Sequence, residues 1–381
     1  MDDPKTDPMH ILYNIAGLYR PAGMERVLSV KAGWLVRHGH QVTILTTEQQ
    51  GRPYAFEMDP RIEIQDLGIG YEDNNGNSLW DKLIHYPGKQ RKHLKALKAI
   101  LSEKKPDITV SMFCNDVNLI PRLKDGSKKV LEVHFSRFKR LQYARRGLWG
   151  IVDRLRSRQD ERLVRRYDRF VALTEEDRIH WGAFEGIRVI PNPVDFRPER
   201  PAALDSKTVI AVGRYSHQKS LDRLVEAWNL IQDKAGWTLR LVGDGELREE
   251  LQAQIRRLSL EGSVVLGRSE SDMSGVYAGA SVLALSSRYE GLPMVLLECQ
   301  AFGVPAVSFD CQCGPREIID DGKTGLLVEE GNIPALAQAL EKLMQDPSLR
   351  KEMGLNAFRQ AERWRPENIM PQWIRLFEEI L

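Results

Sequence analysis

Short apolar runs alternate with longer amphipathic segments along the first half of the chain. The runs at residues 9–16 and 41–47 flank an amphipathic segment at residues 24–40, and this order predicts a strand–helix–strand unit. Further apolar runs that predict strands lie at residues 62–68, 108–113, 129–135, 169–174 and 187–193. A helical pattern at residues 89–105 separates two of these runs. This alternation is typical of a parallel sheet covered by helices.

The same alternation starts again in the second half of the chain. Apolar runs predict strands at residues 208–214, 238–245, 264–267, 281–287, 305–310 and 325–330. Helical patterns lie at residues 220–231, 246–260, 293–302, 334–346 and 366–381. The fold class that follows is α/β, with two Rossmann-like, doubly wound parallel-sheet domains facing each other across a cleft.

A proline-containing segment at residues 191–198 separates the two halves. It places the predicted N-terminal domain at residues 1–198 and the C-terminal domain at residues 199–365. The last segment, residues 366–381, is predicted to be a helix that docks back across the first domain. In open parallel sheets, ligands bind at the carboxyl ends of the strands, so the site is expected there.

Composition places the chain among globular proteins. Hydrophobic residues make up 42% and charged residues 28% of its 381 residues, and the apolar runs are shorter than the roughly 18 residues of a membrane span. The start, MDDPKTDP, is acidic and lacks the apolar core of a signal peptide. Four cysteines are too few for a disulfide framework and indicate a reducing compartment. We therefore expect a cytoplasmic location.

The net charge of +2 hides an asymmetry between the two halves. Residues 1–190 hold 33 basic and 25 acidic residues, whereas residues 191–381 hold 22 and 28. The excess is concentrated in residues 89–169, with 23 basic against 9 acidic residues. This distribution predicts an anionic partner on the first domain only.

Residues 136–170, here called the basic band, interleave arginines with aromatic and aliphatic side chains. That composition is typical of a helix lying on an anionic membrane, which here would be the inner face of the plasma membrane. It also fits a solvated helix whose apolar stripe packs on the core. A nucleic-acid-binding surface is the least favoured of the three alternatives, and nucleic acid is not an expected partner.

The segment RYEGLPMVLLEC at residues 288–299 carries the most specific chemical signal. Pro293 suits the first turn of a helix, predicted from Met294 to Phe302, whose free amides and dipole would bind an anion. The residues that would form this anion-binding terminus are Gly291, Leu292, Met294 and Val295. Glu298 could accept hydrogen bonds from a diol such as ribose, and Glu290 would face whatever lies beyond the anion. Together these parts fit a nucleotide-sugar.

A loop with two cations follows the first strand of the second domain. Arg214 offers a planar fork and Lys219 a compact charge, and together they could neutralise a diphosphate. The alternative is that both are solvated loop residues. Gly243 lies in a Gly-Asp-Gly turn after the next strand, which is a further contact point of low specificity.

Two residues of the first domain are weaker candidates. Gly23 precedes the first helix, where a backbone could approach a phosphate closely. His134 follows a predicted strand, at the edge where ligand-binding residues gather. A lone histidine is more often structural, so both interpretations stay open.

Together these features resemble the family 4 retaining glycosyltransferases of the GT-B fold, of the type that builds bacterial glycans and lipid-linked oligosaccharides. The resemblance covers nearly the whole chain. It rests on AGMERVLS (22–29), GHQVTILTT (39–47), GRYSHQK (213–219), LVGDGELREEL (241–251), RYEGLPMVLLE (288–298), GVPAVSFD (303–310), CGPREIIDDGKTGLLV (313–328) and the final helix with Trp373.

The resemblance implies a role for each matching position. Arg214 and Lys219 would hold the diphosphate, Glu298 the ribose, and Glu290 the hydroxyls of the donor sugar. The resemblance further implies that Gly23 lies behind the distal phosphate and His134 beside the transferred sugar. It also implies that the backbone at Gly267 and Arg268 contacts the base. The sequence departs from the family pattern at two positions, Ser220 and Ala22, where glycine is commoner.

The expected function is that of a retaining hexosyltransferase. It would move a hexosyl or N-acetylhexosaminyl unit from a nucleotide-diphosphate sugar, with UDP favoured, to a saccharide or lipid-linked acceptor. The sequence contains no Asp-x-Asp pair, so no metal ion and no further cofactor are expected. The alternative is a non-catalytic nucleotide-sugar-binding or membrane-scaffolding protein of the same fold.

Overall fold

The computed structural model of the protein describes residues 7–74, 79–137, 139, 148–182, 184–270 and 272–381. The chain forms two compact units. Unit 1 comprises Met1–Pro193 together with Ile369–Leu381, and unit 2 comprises Val194–Asn368.

The sheet of unit 1 is parallel throughout its described strands. These are β1 (His10–Ile15), β2 (Gln41–Thr46), β3 (Glu63–Asp66), β4 (Ile108–Ser111), β5 (Lys128–Glu132), β6 (Arg169–Ala172) and β7 (Ile187–Val189). Their order is β3-β2-β1-β4-β5-β6-β7, so the chain reverses its direction of winding beside β1. β1 pairs with both neighbours through Ile11, which lies opposite Val42 and Ile108.

Helices cover this sheet. They are α1 (Gly23–Arg37), α2 (Leu79–Lys104), α3 (Leu148–Val164) and α4 (Glu175–Trp181), with single 3₁₀ turns at Tyr71–Asn74 and Ile120–Arg122. The helix predicted at residues 89–105 begins already at Leu79, because Pro87 lies inside it and a sequence pattern treats proline as a break. Residues 138 and 140–147 of the basic band lie outside the described residues.

The sheet of unit 2 repeats the same winding. Its described strands are β8 (Thr208–Val212), β9 (Thr238–Val242), β10 (Val264–Leu266), β11 (Val282–Leu285), β12 (Ala306–Asp310) and β13 (Gly325–Glu329). They are parallel, in the order β10-β9-β8-β11-β12-β13.

The helices of unit 2 close both faces of that sheet. They are α5 (Leu221–Leu230), α6 (Arg248–Arg257), α7 (Met273–Ala278), α8 (Met294–Ala301), α9 (Pro315–Ile318), α10 (Ile333–Gln345) and α11 (Pro347–Gln360), followed by a 3₁₀ turn at Ala361–Trp364. α12 (Pro366–Glu378) begins in unit 2 and continues into unit 1 at Ile369. The core of unit 2 includes Trp228 and Phe309, both completely buried.

The predicted fold class is confirmed for each half, since both sheets are parallel and doubly wound. Every strand predicted from an apolar run exists, and the strand ends differ by only a few residues. None of the helices in the described part of the chain combines the length and apolar character that crossing a membrane requires.

Candidate functional site

Two glycine-containing loops touch at the carboxyl edge of the sheet in unit 2. One follows β8 and carries Gly213, and the other follows β9 and carries Gly243. At Gly243, where φ is +150°, an added Cβ would lie 2.0 Å from the carbonyl oxygen of Gly213. Only glycine permits this approach of two backbones. Gly243 is buried, and in the structure it holds the β8 loop in place.

Lys219 and Glu290, both candidate residues, form an ion pair at this edge. The Lys219 side chain runs across Gly213, where an added Cβ would lie 3.1 Å from Cε of the lysine. Its Nζ lies 2.7 Å from Oε1 of Glu290, and the Ser287 hydroxyl donates to the same oxygen at 2.6 Å. The lysine side chain is 17% exposed and the glutamate side chain 7%. The pair is therefore held rigidly but remains open to solvent on the lysine side.

Ser220, one of the two departures from the family pattern, adopts a left-handed backbone conformation just before α5. Its φ is +50° and its ψ is +43°. Its side chain is buried, and its hydroxyl makes no hydrogen bond to any described residue. A residue with a Cβ is disfavoured in this conformation, which explains why glycine suits the position.

We expect Ser220→Gly to raise the free energy of unfolding by about 1 kcal/mol. Removing the Cβ relieves the left-handed strain and removes a buried hydroxyl without a partner, while the greater freedom of glycine in the unfolded chain offsets part of the gain. Chemical denaturation measures the change. Ser220→Ala, which removes the hydroxyl and keeps the Cβ, is the matched control and should gain less. A glycine variant less stable than the wild type contradicts the expectation.

Glu298 lies inside α8 and is 6% exposed. The hydroxyl of Tyr277 donates to its Oε2 at 2.5 Å. Tyr277 is completely buried, with its ring centroid 5.6 Å from that of Phe302 and 6.0 Å from that of Phe196. This aromatic cluster fixes the tyrosine, which in turn fixes the orientation of the carboxylate predicted to bind ribose.

The anion-binding helix terminus begins at Met294, as the sequence predicts, but Pro293 lies just before the first turn rather than in it. Pro293 is the N-cap, with φ −70° and ψ 97°, and the helix runs from Met294 to Ala301. The loop after β12 packs closely against this proline, since a Cβ added at Gly314 would lie 2.5 Å from Cδ of Pro293. Among the described residues, no side chain caps this terminus. Gly291, Met294 and Val295 are partly exposed there, whereas Leu292 is buried.

Arg214 forms its own ion pair, with a glutamate other than the Glu290 that pairs with Lys219. Its side chain is 74% exposed and pairs with Glu246, with Nη2 lying 3.1 Å from Oε2. Such an exposed ion pair is weak, so a diphosphate could replace Glu246 at little energetic cost.

The backbone of Gly267, which the family resemblance places against the base, is already engaged within unit 2. Its amide donates to the carbonyl of Leu241 at 2.8 Å. Its carbonyl accepts hydrogen bonds from the Tyr215 hydroxyl at 3.0 Å and from the Arg248 guanidinium at 2.7 Å. Arg268 is exposed. Of these two positions, Arg268 is therefore the one that can still meet a ligand.

In unit 1, Gly23 is the first residue of α1. It is exposed, and its N-cap is Ala22, which has no side chain able to cap the helix. The first turn also contains Glu25, which is 6% exposed. The helix terminus is thus accessible at Gly23, and the buried carboxylate of Glu25 lies in the same first turn.

His134 follows β5 and contacts a buried ion pair that the sequence did not indicate. Glu132 and Lys31 are both completely buried, with Nζ of the lysine 2.6 Å from Oε2 of the glutamate. The other carboxylate oxygen, Oε1, lies 3.2 Å from Nε2 of His134. Burial would raise the pKa of the Glu132 carboxyl, but the attraction of Lys31 and then of His134 outweighs burial and lowers it to about 2. Burial lowers the pKa of Lys31 to about 8, so both groups are charged at neutral pH.

Tyr277, Lys31 and Glu132 are the residues near the candidate site that the sequence interpretation missed. A weak signal existed for two of them, since Lys31 interrupts the apolar face of α1 and Glu132 interrupts an apolar strand. Charged residues at such positions are rarely buried without a partner. Tyr277 lies in a short helix without a distinctive pattern, and nothing in the sequence marks it.

Two doubly wound parallel sheets in one chain, with a lysine–glutamate pair at the carboxyl edge of the second, define the class of GT-B glycosyltransferases. The model of glycosyl transferases group 1 matches residues 195–360. The model of Glycosyltransferase Family 4 matches residues 21–197. The chain belongs to these glycosyltransferases.

Curated relatives match the chain to different extents. An exopolysaccharide phosphotransferase of Streptomyces coelicolor is 36% identical over 224 residues, which cover 56% of this chain and 24% of that protein. The chain thus spans about a quarter of the length of this relative. The GalNAc-alpha-(1->4)-GalNAc-alpha-(1->3)-diNAcBac-PP-undecaprenol alpha-1,4-N-acetyl-D-galactosaminyltransferase of Campylobacter jejuni is 27% identical, covering 98% of this chain and 99% of that protein.

Among solved structures, a mutant of S. aureus TarM in complex with Fondaparinux, alpha-GlcNAc-glycerol and UDP has the same fold. The TM-score is 0.81 at 15% sequence identity, covering 97% of this chain and 99% of the other. At this identity the likeness concerns the fold alone.

Proposed function

We propose that the protein is a retaining, metal-independent glycosyltransferase of bacterial glycan synthesis. It moves a hexosyl or N-acetylhexosaminyl unit from a nucleotide-diphosphate sugar, with UDP favoured, to a saccharide or lipid-linked acceptor. The observation that carries the proposal is the Lys219–Glu290 ion pair at the carboxyl edge of the sheet in unit 2. The C. jejuni relative, whose name includes a PP-undecaprenol glycan, supports a lipid-linked acceptor.

The ion pair suits a donor whose leaving group gains negative charge. Lys219 would stabilise the departing diphosphate, since a pre-placed cation is most effective where charge develops. Arg214 would leave Glu246 and bind the same diphosphate in bidentate fashion. Glu290, held by Ser287, would accept hydrogen bonds from the hydroxyls of the sugar. Glu298, oriented by Tyr277, would bind the ribose.

The proposed chemistry retains the anomeric configuration of the donor. The bond between the anomeric carbon and the diphosphate oxygen breaks, and the acceptor oxygen forms its bond on the same face. The leaving phosphate oxygen takes the proton of the acceptor hydroxyl, so no protein nucleophile is required. NMR analysis of the product should show the donor anomer, and an inverted product contradicts this mechanism.

Positive charge from the protein replaces a metal ion in this proposal. Lys219, Arg214 and the uncapped N-terminus of α8 supply that charge. Transfer rates should therefore be the same in excess chelator as in excess Mg²⁺.

A nucleotide screen followed by a hydrolysis assay tests the proposed function. UDP, GDP and their sugars are first compared by thermal shift, because a ligand at a hundred times its Kd stabilises the folded protein by about 2.7 kcal/mol. The best donor is then incubated without acceptor, and slow hydrolysis is measured. We expect hydrolysis by the wild type and its loss in Glu290→Ala. Binding without any turnover, even with added lipid-linked acceptors, indicates a non-catalytic nucleotide-sugar-binding protein.

The basic band supports a further part of the proposal, an anionic membrane surface as a partner. On α3, Leu155 is 58% exposed and has exposed arginine neighbours. These neighbours are Arg154, Arg156, Arg158 and Arg162. Arg137, by contrast, is buried, and its guanidinium donates to the Ser157 hydroxyl and to Glu161. The exposed part of α3 therefore combines charge with an apolar side chain, as interfacial helices do.

We expect the protein to co-sediment with vesicles that contain phosphatidylglycerol but not with pure phosphatidylcholine vesicles. Binding should weaken as salt rises, because the attraction is electrostatic. Leu155→Ser with Arg158→Ser should reduce binding, whereas Arg240→Ser, an exposed cation of unit 2 paired with Glu270, should not. Equal binding to both vesicle types contradicts the membrane proposal.

A further inference from the structure

The loop between β11 and α8 carries Glu290 although it belongs to no helix or strand. β11 ends at Leu285 and α8 begins at Met294, so residues 286–293, here called the β11 loop, lie between the two elements. Ser287 is completely buried and Glu290 is only 6% exposed. Buried backbone groups need hydrogen-bond partners, and those of an irregular loop must find them in other segments. The position of Glu290 therefore depends on the residues that bind this loop.

Three consecutive carbonyl groups in the loop after β8 accept hydrogen bonds from the β11 loop. Nε of Arg288 donates to the carbonyl of His217 at 3.2 Å. The backbone amide of Arg288 donates to the carbonyl of Gln218 at 2.9 Å. The Ser286 hydroxyl donates to the carbonyl of Lys219 at 3.0 Å. The two loops are therefore bound to each other at successive residues.

The peptide unit that joins Tyr289 to Glu290 is held at both ends. The side-chain amide of Gln218 donates to the carbonyl of Tyr289 at 3.1 Å. The backbone amide of Glu290 donates to the carbonyl of Gln312, in the loop after β12, at 3.2 Å. Because a peptide unit is planar, two bonds at opposite ends fix its orientation where the chain enters Glu290. Of these two partners, Gln218 acts through its side chain, so a substitution can remove its bond and leave the backbone unchanged.

We propose that Gln218 is a positioning residue for Glu290. By holding the carbonyl of Tyr289, its amide keeps the carboxylate where Lys219 and Ser287 reach the same oxygen, Oε1, at 2.7 and 2.6 Å. Oε1 thus carries both bonds, which leaves Oε2 to accept hydrogen bonds from the hydroxyls of the donor sugar. This inference rests on the proposed function for the sugar, but the effect of Gln218 on the β11 loop can be measured in the free protein.

Gln218→Met tests the proposal, because methionine has a similar length but cannot donate a hydrogen bond. The matched control is Gln254→Met. Gln254, on α6, also donates its side-chain amide to a backbone carbonyl, that of Asp222 on α5, at 2.9 Å. The control therefore loses the same kind of bond in the same unit. Thermal unfolding confirms that both variants fold. Gln218→Asn, which keeps an amide but is one carbon shorter, is the second variant if Gln218→Met unfolds the protein.

The first measurement is hydrogen exchange of the free protein, followed by mass spectrometry in peptides that cover the β11 loop. We expect the wild type and Gln254→Met to exchange alike there. Gln218→Met should exchange about 10-fold faster, because a loop with fewer hydrogen bonds opens more often.

The second measurement is calorimetric binding of the nucleotide and the nucleotide-sugar selected by the thermal-shift screen of UDP, GDP and their sugars. The Kd of the nucleotide divided by the Kd of its sugar reports what the sugar contributes to binding. This ratio should fall about 10-fold in Gln218→Met, whereas the Kd of the nucleotide alone should change by less than about twofold. If Gln218 acts through Glu290, adding Gln218→Met to Glu290→Ala should leave the ratio of Glu290→Ala unchanged.

Each outcome decides the inference. Equal exchange of the β11 loop in Gln218→Met and Gln254→Met overturns it. An equal loss of affinity for the nucleotide and its sugar also overturns it, as does a further fall of the ratio in the Glu290→Ala background, because Gln218 then does not act through Glu290. Faster exchange with an unchanged ratio overturns the role in sugar binding. Faster exchange in a protein that binds no nucleotide-sugar supports the positioning of the loop by Gln218 and refutes the proposed function instead.

Discussion

Replacing Lys219 by alanine is expected to lower the rate of sugar transfer by about 10²- to 10³-fold, the usual effect of removing one group that stabilises developing negative charge. The substitution removes two interactions. Lys219 is the cation assigned to the proposed leaving group, and it is also the partner that holds Glu290 at 2.7 Å. Initial rates at saturating donor measure the effect. The loss should appear in kcat, since the charge on the leaving group is greater in the transition state than in the bound donor.

Arg223→Ala is the matched control for this prediction. Arg223 is a cation of α5, four positions from Lys219, and it pairs with Glu330 at 2.5 Å on the surface of unit 2. We expect its removal to leave kcat within twofold of the wild type. If Lys219→Ala transfers sugar as fast as Arg223→Ala does, the assignment of the donor site to the Lys219–Glu290 pair is wrong.

The largest expected effect on stability comes from Lys31→Met. This substitution leaves the carboxylate of Glu132 buried without its cation, which should lower the free energy of unfolding by about 3–5 kcal/mol at pH 7. Chemical denaturation, followed by the fluorescence of Trp373 and the other tryptophans, measures the loss. Lys31→Met/Glu132→Leu, which removes both charges, should lie within about 1 kcal/mol of the wild type.

The penalty of Lys31→Met should shrink as the pH falls. In the wild type the pKa of Glu132 in the folded state is about 2, below its unfolded value of about 4.3, so its contribution is present above that unfolded value and is lost as the pH falls towards 2. Without Lys31, burial raises the folded pKa above the unfolded value, and the carboxylate then destabilises the fold increasingly as the pH rises. Equal penalties at pH 5 and pH 7 contradict this account.

The sequence predicts the two sheets well because their strands are continuous apolar runs. A parallel strand buried on both faces needs apolar residues throughout, and the run at residues 281–287 became β11, all of whose residues are buried. Helix boundaries were predicted less well. α2 continues through Pro87, and Pro293 is the N-cap of α8 rather than a residue of its first turn.

The candidate site was predictable at positions where a charged residue follows a strand, because the residue type and its position together indicate a chemical role. Lys219 and Glu290 are far apart in sequence, yet both follow strands of one sheet, so they could be expected at the same edge. The partners that orient the site were not predictable. Tyr277 reaches Glu298 from a separate short helix, and Lys31 reaches Glu132 from across the layer between helix and sheet. Such contacts depend on packing distances that no local pattern encodes.

The division of unit 1 between the two ends of the chain has a consequence during synthesis. Residues up to Pro193 leave the ribosome before unit 2, and Trp373, which covers Lys31, leaves after unit 2. Unit 2 is one continuous stretch and can fold as soon as it has emerged, as domains generally do. The nascent first unit therefore lacks the ring that covers Lys31 until residues 369–381 have been synthesised and have docked.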